Sequence, residues 1–216
     1  MPRNKHPEET VQKILDTSLR LFAEKGYEQT TVLDIVANLG GLTRGAFYHH
    51  FKSKEEVLRA IIDSEYYRRN AFDEAKKRAF PNGLARLRFA LDLALKANIE
   101  DEQSELVTRL ALSLLENPRF LVEHIRGINE DAKNMAILIE EGMADGSIKP
   151  GNALALAELF LLFSNVWMMP GIFPANKQHA KEKGDIIVQI FKGLGYDFID
   201  TNLYDSFFGM LHKLED

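Results

Sequence analysis

Two stretches decide how this chain reads: Thr30-Thr31-Val32-Leu33-Asp34-Ile35-Val36 and, beyond the pair Gly40-Gly41, Leu42-Thr43-Arg44-Gly45-Ala46-Phe47-Tyr48-His49-His50-Phe51-Lys52-Ser53-Lys54-Glu55. Thr31 precedes a short run of helical apolar spacing, and Asp34 stands three residues on, a capping-box arrangement with Asp in place of Glu or Gln. Val32, Ile35, Val36 and Leu39 form the buried side of that helix, and the glycine pair stops it. Thr43 caps a second short helix, about Arg44 to His50, with Leu42 ahead of the cap as a staple residue. Two short capped helices separated by a glycine-containing turn have the spacing of a helix-turn-helix.

Outward from this core, apolar residues recur at three- and four-residue spacing with no sustained alternation, which predicts an all-α chain. Val11, Ile14, Leu15, Leu19 and Phe22 make one face of a helix that Gly26 closes. Ser53-Lys54-Glu55-Glu56 opens a long helix running towards Phe80, ahead of the break Pro81-Asn82-Gly83. Further helices are expected at about 84–98, 102–116, 118–144, 152–169, 180–192 and 203–214. This places a three-helix DNA-binding module at 1–52, extending into the start of the next helix. A long helix joins it to a larger helical domain at 53–216.

The composition narrows the function. There is no cysteine, which removes disulfides, thiol nucleophiles and cysteine-based metal sites and fits a reducing compartment. No apolar run follows the N-terminal Met-Pro-Arg-Asn-Lys-His-Pro, so no secretory signal is read and a cytoplasmic location is expected. The longest apolar stretch, Ala153–Met169, is interrupted by Glu158, Ser164 and Asn165, and reads as a buried helix rather than a membrane span. The six histidines show no metal-binding spacing, no glycine-rich phosphate loop is present, and Glu55-Glu56 and Glu140-Glu141 are adjacent pairs that point to different helix sides. No catalytic residue, metal or cofactor is expected.

The net charge of −5 is unevenly spread: residues 1–60 hold nine Lys/Arg against eight Asp/Glu, so the acidic excess belongs to the rest of the chain. No acid occurs between Asp34 and Glu55, a window that holds Arg44, Lys52 and Lys54 beside His49 and His50. For a phosphate backbone the local field decides.

A helix that reads base edges must present its N-terminal half to the major groove and keep bulky residues off that face. Phe47 and Phe51 stand four apart and anchor the helix from behind, while Thr43, Arg44, Gly45, Ala46, Tyr48 and His49 lie on or near the other side. Arg44 can form a bidentate contact to guanine, Gly45 and Ala46 allow close approach, and Tyr48, His49 and His50 can reach phosphate or base. Lys52 and Lys54 add charge against the backbone. Thr31 and Leu33 at the start of the preceding helix join the set, the threonines with backbone N–H groups behind them. Arg3 and Lys5 read equally as a basic arm or as an unordered terminus.

These residues resemble the DNA-binding module of the TetR/AcrR family of transcriptional regulators over about residues 8–65. The threonine pair, Asp34-Ile35, Thr43-Arg44-Gly45 before the aromatic pair Phe47-Tyr48, His50-Phe51 and Lys52-Ser53-Lys54-Glu55 appear in the family's order. Gly40-Gly41 departs from it by lengthening the turn by one residue. The resemblance implies an all-helical homodimer that reads a palindromic double-stranded operator, commonly as a repressor, and releases it when a small ligand enters the C-terminal domain. It assigns dimerisation and effector sensing to the helical domain at 53–216.

For the contact between copies the candidates are Leu156, Phe160, Phe163, Ile187, Ile190 and Phe191, on two helices apolar around much of their surface; the same residues also read as one copy's own core. For a hydrophobic or amphipathic effector the candidate region is Phe89, Phe120, His124, Met135, Phe163, Asn165, Trp167 and Met168. The alternative is a DNA-binding regulator of the same fold that answers to a protein partner or senses nothing. The last apolar segment, with Phe207, Phe208, Met210 and Leu211, is left without a docking place.

Overall fold

The computed structural model describes residues 7–68, 71–97, 102–114, 118–169 and 172–215, and every regular element among them is helical. Arg3 and Lys5 lie outside the described residues, as do 115–117 and 170–171, which adjoin the ends of the helices expected at 102–116 and 152–169. The chain gathers into two compact units: Met1–Arg68 with Asp101–Ala111, and Arg69–Glu100 with Leu112–Asp216.

In the first unit α1 (Pro7–Lys25) packs on α2 (Val32–Asn38) and on α4 (Lys54–Arg68), and α2 packs on α3 (Arg44–His50). Gly26 ends α1 in the left-handed region and donates its N–H to Phe22 O. Ile14, Phe22, Ile35, Leu39, Phe47 and Leu58 are fully buried. Thr30, also fully buried, donates its hydroxyl to Gly26 O at 2.8 Å, so the buried turn leaves no orphan there. Gly40 and Gly41 both adopt positive φ, a backbone that residues with a Cβ avoid. The extra glycine is therefore accommodated inside the turn.

The second unit is built around α8 (Pro118–Ala144), which packs on α6 (Gly83–Ala97) and α9 (Ala153–Leu162). Also in α6's surroundings are α5 (Ala71–Lys76) and α11 (Thr201–Glu215). Its core holds Leu87, Met135, Leu138 and Ile139, and the rings of Phe160 on α9, Phe191 on α10 (Lys177–Gly193) and Phe198 meet at centroid distances of 5.5–6.5 Å. Gly83 and Gly142 allow α6 and α8 to approach backbone to backbone, since a Cβ on Gly83 would run into the Gly142 main chain. The start of α6 is capped across this crossing: Asp145 accepts from Gly83 N at 2.6 Å and Ser147 from Leu84 N at 3.0 Å. α7 (Glu102–Leu114) is divided between the two units.

Two helices differ from the sequence expectation. The described helix before Pro81 ends at Lys76, and Phe80, beyond it, places its ring 5.1 Å from that of Phe89. The helix expected over 152–169 is regular only to Leu162 and continues as a π-helical turn, Phe163–Trp167. Side-chain bonds accompany the change. The Ser164 hydroxyl donates to Phe160 O and the Asn165 amide to Leu161 O, each four residues back, where side chains compete with the backbone for the same acceptors. The Met168 N–H reaches five residues back to Phe163 O instead.

The last helix has a definite berth in the second unit. Ser206 donates to Asp92 on α6 at 2.6 Å, Tyr204 donates to Asp185 on α10, and the Phe208 ring lies over Gly184, whose Cβ-free face it fills.

Candidate nucleic-acid interface and effector region

The geometry of α2 and α3 follows from their caps. The Thr31 hydroxyl accepts from Asp34 N at 3.1 Å, and the Asp34 carboxylate accepts in return from Thr31 N and from the Thr31 hydroxyl. Lys25 reaches the same carboxylate at 2.9 Å. The Lys25 ammonium, followed by the Thr31 hydroxyl and amide, holds the Asp34 carboxyl far below the ordinary carboxylate range. Thr43 caps α3 by accepting from Ala46 N at 3.2 Å. α3 is thus started by Thr43 and anchored by Phe47, fully buried, and Phe51, nearly so.

The anchoring turns the opposite side of α3 outward. Thr43, Arg44, Gly45, Tyr48 and His49 are exposed, Ala46 and His50 half-buried. The Arg44 guanidinium lies 5.5 Å from the centre of the Tyr48 ring, one turn along, which restricts an otherwise free side chain on the exposed face. His49 and His50 place their rings 5.0 Å apart, edge to face. On α2, Leu33 is 61% exposed, an apolar side chain left in water beside this surface.

Three of the sequence candidates are occupied within the module. Both polar hydrogens of Thr31 are given to Asp34, and the Thr43 hydroxyl accepts the α3 cap bond. Lys54 is the clearest case: its ammonium donates to Tyr27 O at 2.8 Å and Glu28 O at 3.2 Å and lies 4.4 Å from the Tyr27 ring centre. It holds the chain that leaves α1 against the start of α4. Spacing alone placed Lys54 with the charges facing a duplex, because the carbonyls it satisfies belong to residues 26 and 27 positions earlier. Lys52 is exposed, and its backbone N–H donates to Glu56 at 2.5 Å.

In the second unit the effector candidates separate. His124 on α8 hydrogen-bonds through Nε2 to Asn165 O at 3.1 Å, so that nitrogen carries the proton. Phe163 and Trp167 flank the same turn with ring centres 5.6 Å apart, and Met168 beside them is buried. Met135 is fully buried in the core, and Phe120 on α8 is half-buried. Phe89 meets Phe80 and the Arg78 guanidinium instead. An open cleft lined by Phe80, Asn82, Arg86, Glu141 and Asp145 includes none of the candidates.

Sequence reading missed Lys183. It is 4% exposed on α10, and its ammonium donates to Trp167 O and Phe173 O, both at 3.1 Å. The signal was available in principle, since Lys183 falls on the same α10 face as Ala180, Ile187 and Phe191, but the carbonyls it meets follow no sequence spacing.

The residues weighed for a contact between copies point mostly inward. Leu156, Phe160, Ile187 and Phe191 are buried in the second unit's own core, and Phe163 and Ile190 are half-buried. Periodicity could not separate the two sides because α9 is apolar on both. The large apolar side chains these helices turn outward are Leu154, Leu162 and Ile186.

Among the described residues no helix is long and apolar enough to cross a membrane, and no group of three His, Cys, Asp or Glu could hold a metal ion. Residues 14–61 match the sequence family described as "Bacterial regulatory proteins, tetR family". The uncharacterized HTH-type transcriptional regulator YerO of Bacillus subtilis is 48% identical over 59 residues, which are 27% of this chain and 19% of that protein, so that likeness spans little of the relative's length. The HTH-type transcriptional repressor KstR2 of Mycolicibacterium smegmatis is 32% identical over 171 residues, covering 74% of this chain and 79% of that one. The crystal structure of a TetR-family regulator from Syntrophomonas wolfei superposes with a TM-score of 0.64 over 87% of this chain and 95% of its own, at 21% identity, a likeness of fold. With its helix-turn-helix held by the caps and anchors above and its likeness to KstR2 running far beyond that module, the chain belongs to the tetR family of transcriptional regulators.

Proposed function

We propose that the protein is a ligand-responsive repressor that binds a palindromic operator as a homodimer in the cytoplasm and is released by a small hydrophobic or amphipathic effector. Residues 1–52 with the start of α4 read DNA, and residues 53–216 sense the effector and pair the copies. The observation that carries this reading is α3: capped by Thr43, anchored by Phe47 and Phe51, and exposing Arg44, Tyr48 and His49 together. Such a stub fits the major groove, with Arg44 as the base reader and Tyr48, His49, His50 and Lys52 against base or phosphate. Gly45 and Ala46 let the backbone approach, and Leu33 offers an apolar contact to a thymine methyl. Thr31 and Thr43 act by setting the helices rather than by lending free hydroxyls, and Lys54 by fixing α4.

One seven-residue reader gives weak affinity, so a second copy supplies the matching half-site about one helical turn away or a multiple of it. The outward Leu154, Leu162 and Ile186 are the side chains suited to pair the copies. Effector binding belongs to the region of His124, Phe163, Asn165, Trp167 and Met168.

The test is selection of duplexes from a random pool by the purified protein. The expected product is a two-fold symmetric site bound with a steep loss of affinity as salt rises. A selected site without symmetry, or binding indifferent to Arg44→Ala, overturns the reading.

A further inference from the structure

Among the described residues Lys183 is a charge without a countercharge. Its ammonium has two neutral acceptors, Trp167 O and Phe173 O, and faces the rings of Trp167 and Phe173 at 5.7 and 5.5 Å. Among the described residues no carboxylate lies within ion-pair distance of it, and its third N–H has no acceptor. Carbonyl dipoles and ring faces satisfy part of an ammonium's needs and leave its net charge uncompensated in an apolar surrounding, where an unpaired cation is costly. Burial accordingly pushes the Lys183 pKa down.

The neighbourhood adds two observations. The Trp167 carbonyl ends the π-helical turn, an element that is often kept at functional sites. On the far side Phe173 is 44% exposed, so the cation is covered in part by a ring that itself stands at the surface. The ammonium is therefore buried yet close to solvent.

We propose that Lys183 anchors the acidic group of the effector, which makes the effector an anionic amphiphile: a carboxylate on an apolar body that lies along Trp167 and Phe173. An incoming carboxylate takes the free N–H and competes with the two carbonyls for the others. Drawing the ammonium off either carbonyl releases Trp167 or Phe173 from α10, and that release is the signal. This rests on the reading of the second unit as the ligand-sensing part.

The experiment compares decanoate with decanol, equal in chain length and different in charge, by thermal shift and by release of the selected operator. It uses the native protein, Lys183→Met, which keeps the length and apolar stem, and Lys183→Arg, which keeps the charge. The expected result is that decanoate binds the native protein about tenfold tighter than decanol, that Met at 183 reduces the difference to less than about twofold, and that Arg preserves it. Equal binding of the two probes to the native protein, or a preference for decanoate that survives Lys183→Met, overturns the anchor and leaves the effector reading standing. No shift with either probe overturns both.

Discussion

In the first unit the side chains with chemistry to offer stand outside: Arg44, Tyr48 and His49 project from α3, which Phe47 and Phe51 hold from behind. In the second unit the corresponding polar groups are turned in. Lys183, His124 and Asn165 are all joined to main-chain carbonyls, and the rings of Phe163 and Trp167 beside them pack against the core. A surface that reads a duplex needs free donors on a rigid support, so its energetics divide cleanly between anchors and readers. In the second unit main-chain carbonyls already hold these groups, so on the proposed reading a ligand has to compete for them and anchor and reader become the same residue.

The division in the first unit is broken most severely at the anchor. Phe47→Ala removes a fully buried ring and is expected to cost about 3–5 kcal/mol. Amide exchange over residues 7–68 should rise with it, and operator binding should disappear. If binding survives with normal affinity, α3 is not held from behind by Phe47.

The reader shows the opposite signature. Arg44→Ala should lose about 1–3 kcal/mol of operator discrimination, roughly 5- to 150-fold in affinity, while the unfolding midpoint stays where it was. Titration against the selected site and a scrambled duplex, with calorimetric unfolding alongside, measures both halves of that statement. A drop in midpoint would move Arg44 from reader to structural residue.

Smaller effects sharpen the contrast. Thr43→Ala removes the α3 cap and should destabilise the protein by about 1 kcal/mol in denaturant melts. Thr43→Ser restores the cap and should recover most of that loss. In the second unit Tyr204→Phe deletes the hydroxyl given to Asp185 and should cost about 0.5–1.5 kcal/mol, measurable by the same melts.

The smallest effect is electrostatic. Asp34 titrates lower in the folded chain than its ordinary value of 3.8, so its contribution is complete above that value and is lost as pH falls below it towards the folded pKa. The stability of Asp34→Asn should therefore decline less steeply than that of the parent below about pH 4, with the two profiles parallel above it. Equal slopes in acid would mean that Lys25 and Thr31 do not favour the charged carboxylate.

Much of the first unit is legible in the amino-acid sequence. The caps Thr31 with Asp34, and Thr43, the stop at Gly40-Gly41 and the anchors Phe47 and Phe51 are all relations within a few residues, where periodicity and capping chemistry apply directly. So are the outward places of Arg44, Tyr48 and His49, because a seven-residue helix with two apolar anchors has only one side left. Lys54 escaped that logic, since its partners lie at Tyr27 and Glu28. The same holds for Leu156, Phe160, Ile187 and Phe191: a helix apolar on several sides carries no mark of which side meets its own chain.

The π-helical turn falls between these cases. Ser164 and Asn165 inside an apolar run interrupt it visibly, but whether their side chains take the carbonyls of Phe160 and Leu161 depends on how the turn packs. Local spacing by itself determined that the chain is helical, where α3 starts and stops, and which family it resembles, because caps, glycines and apolar periods act over one or two turns. Only tertiary structure decided that Lys54 clasps the end of α1, that α11 lies against α6 and α10, and that Lys183 is buried against the carbonyls of Trp167 and Phe173, because each requires groups far apart in the chain to be brought together by packing.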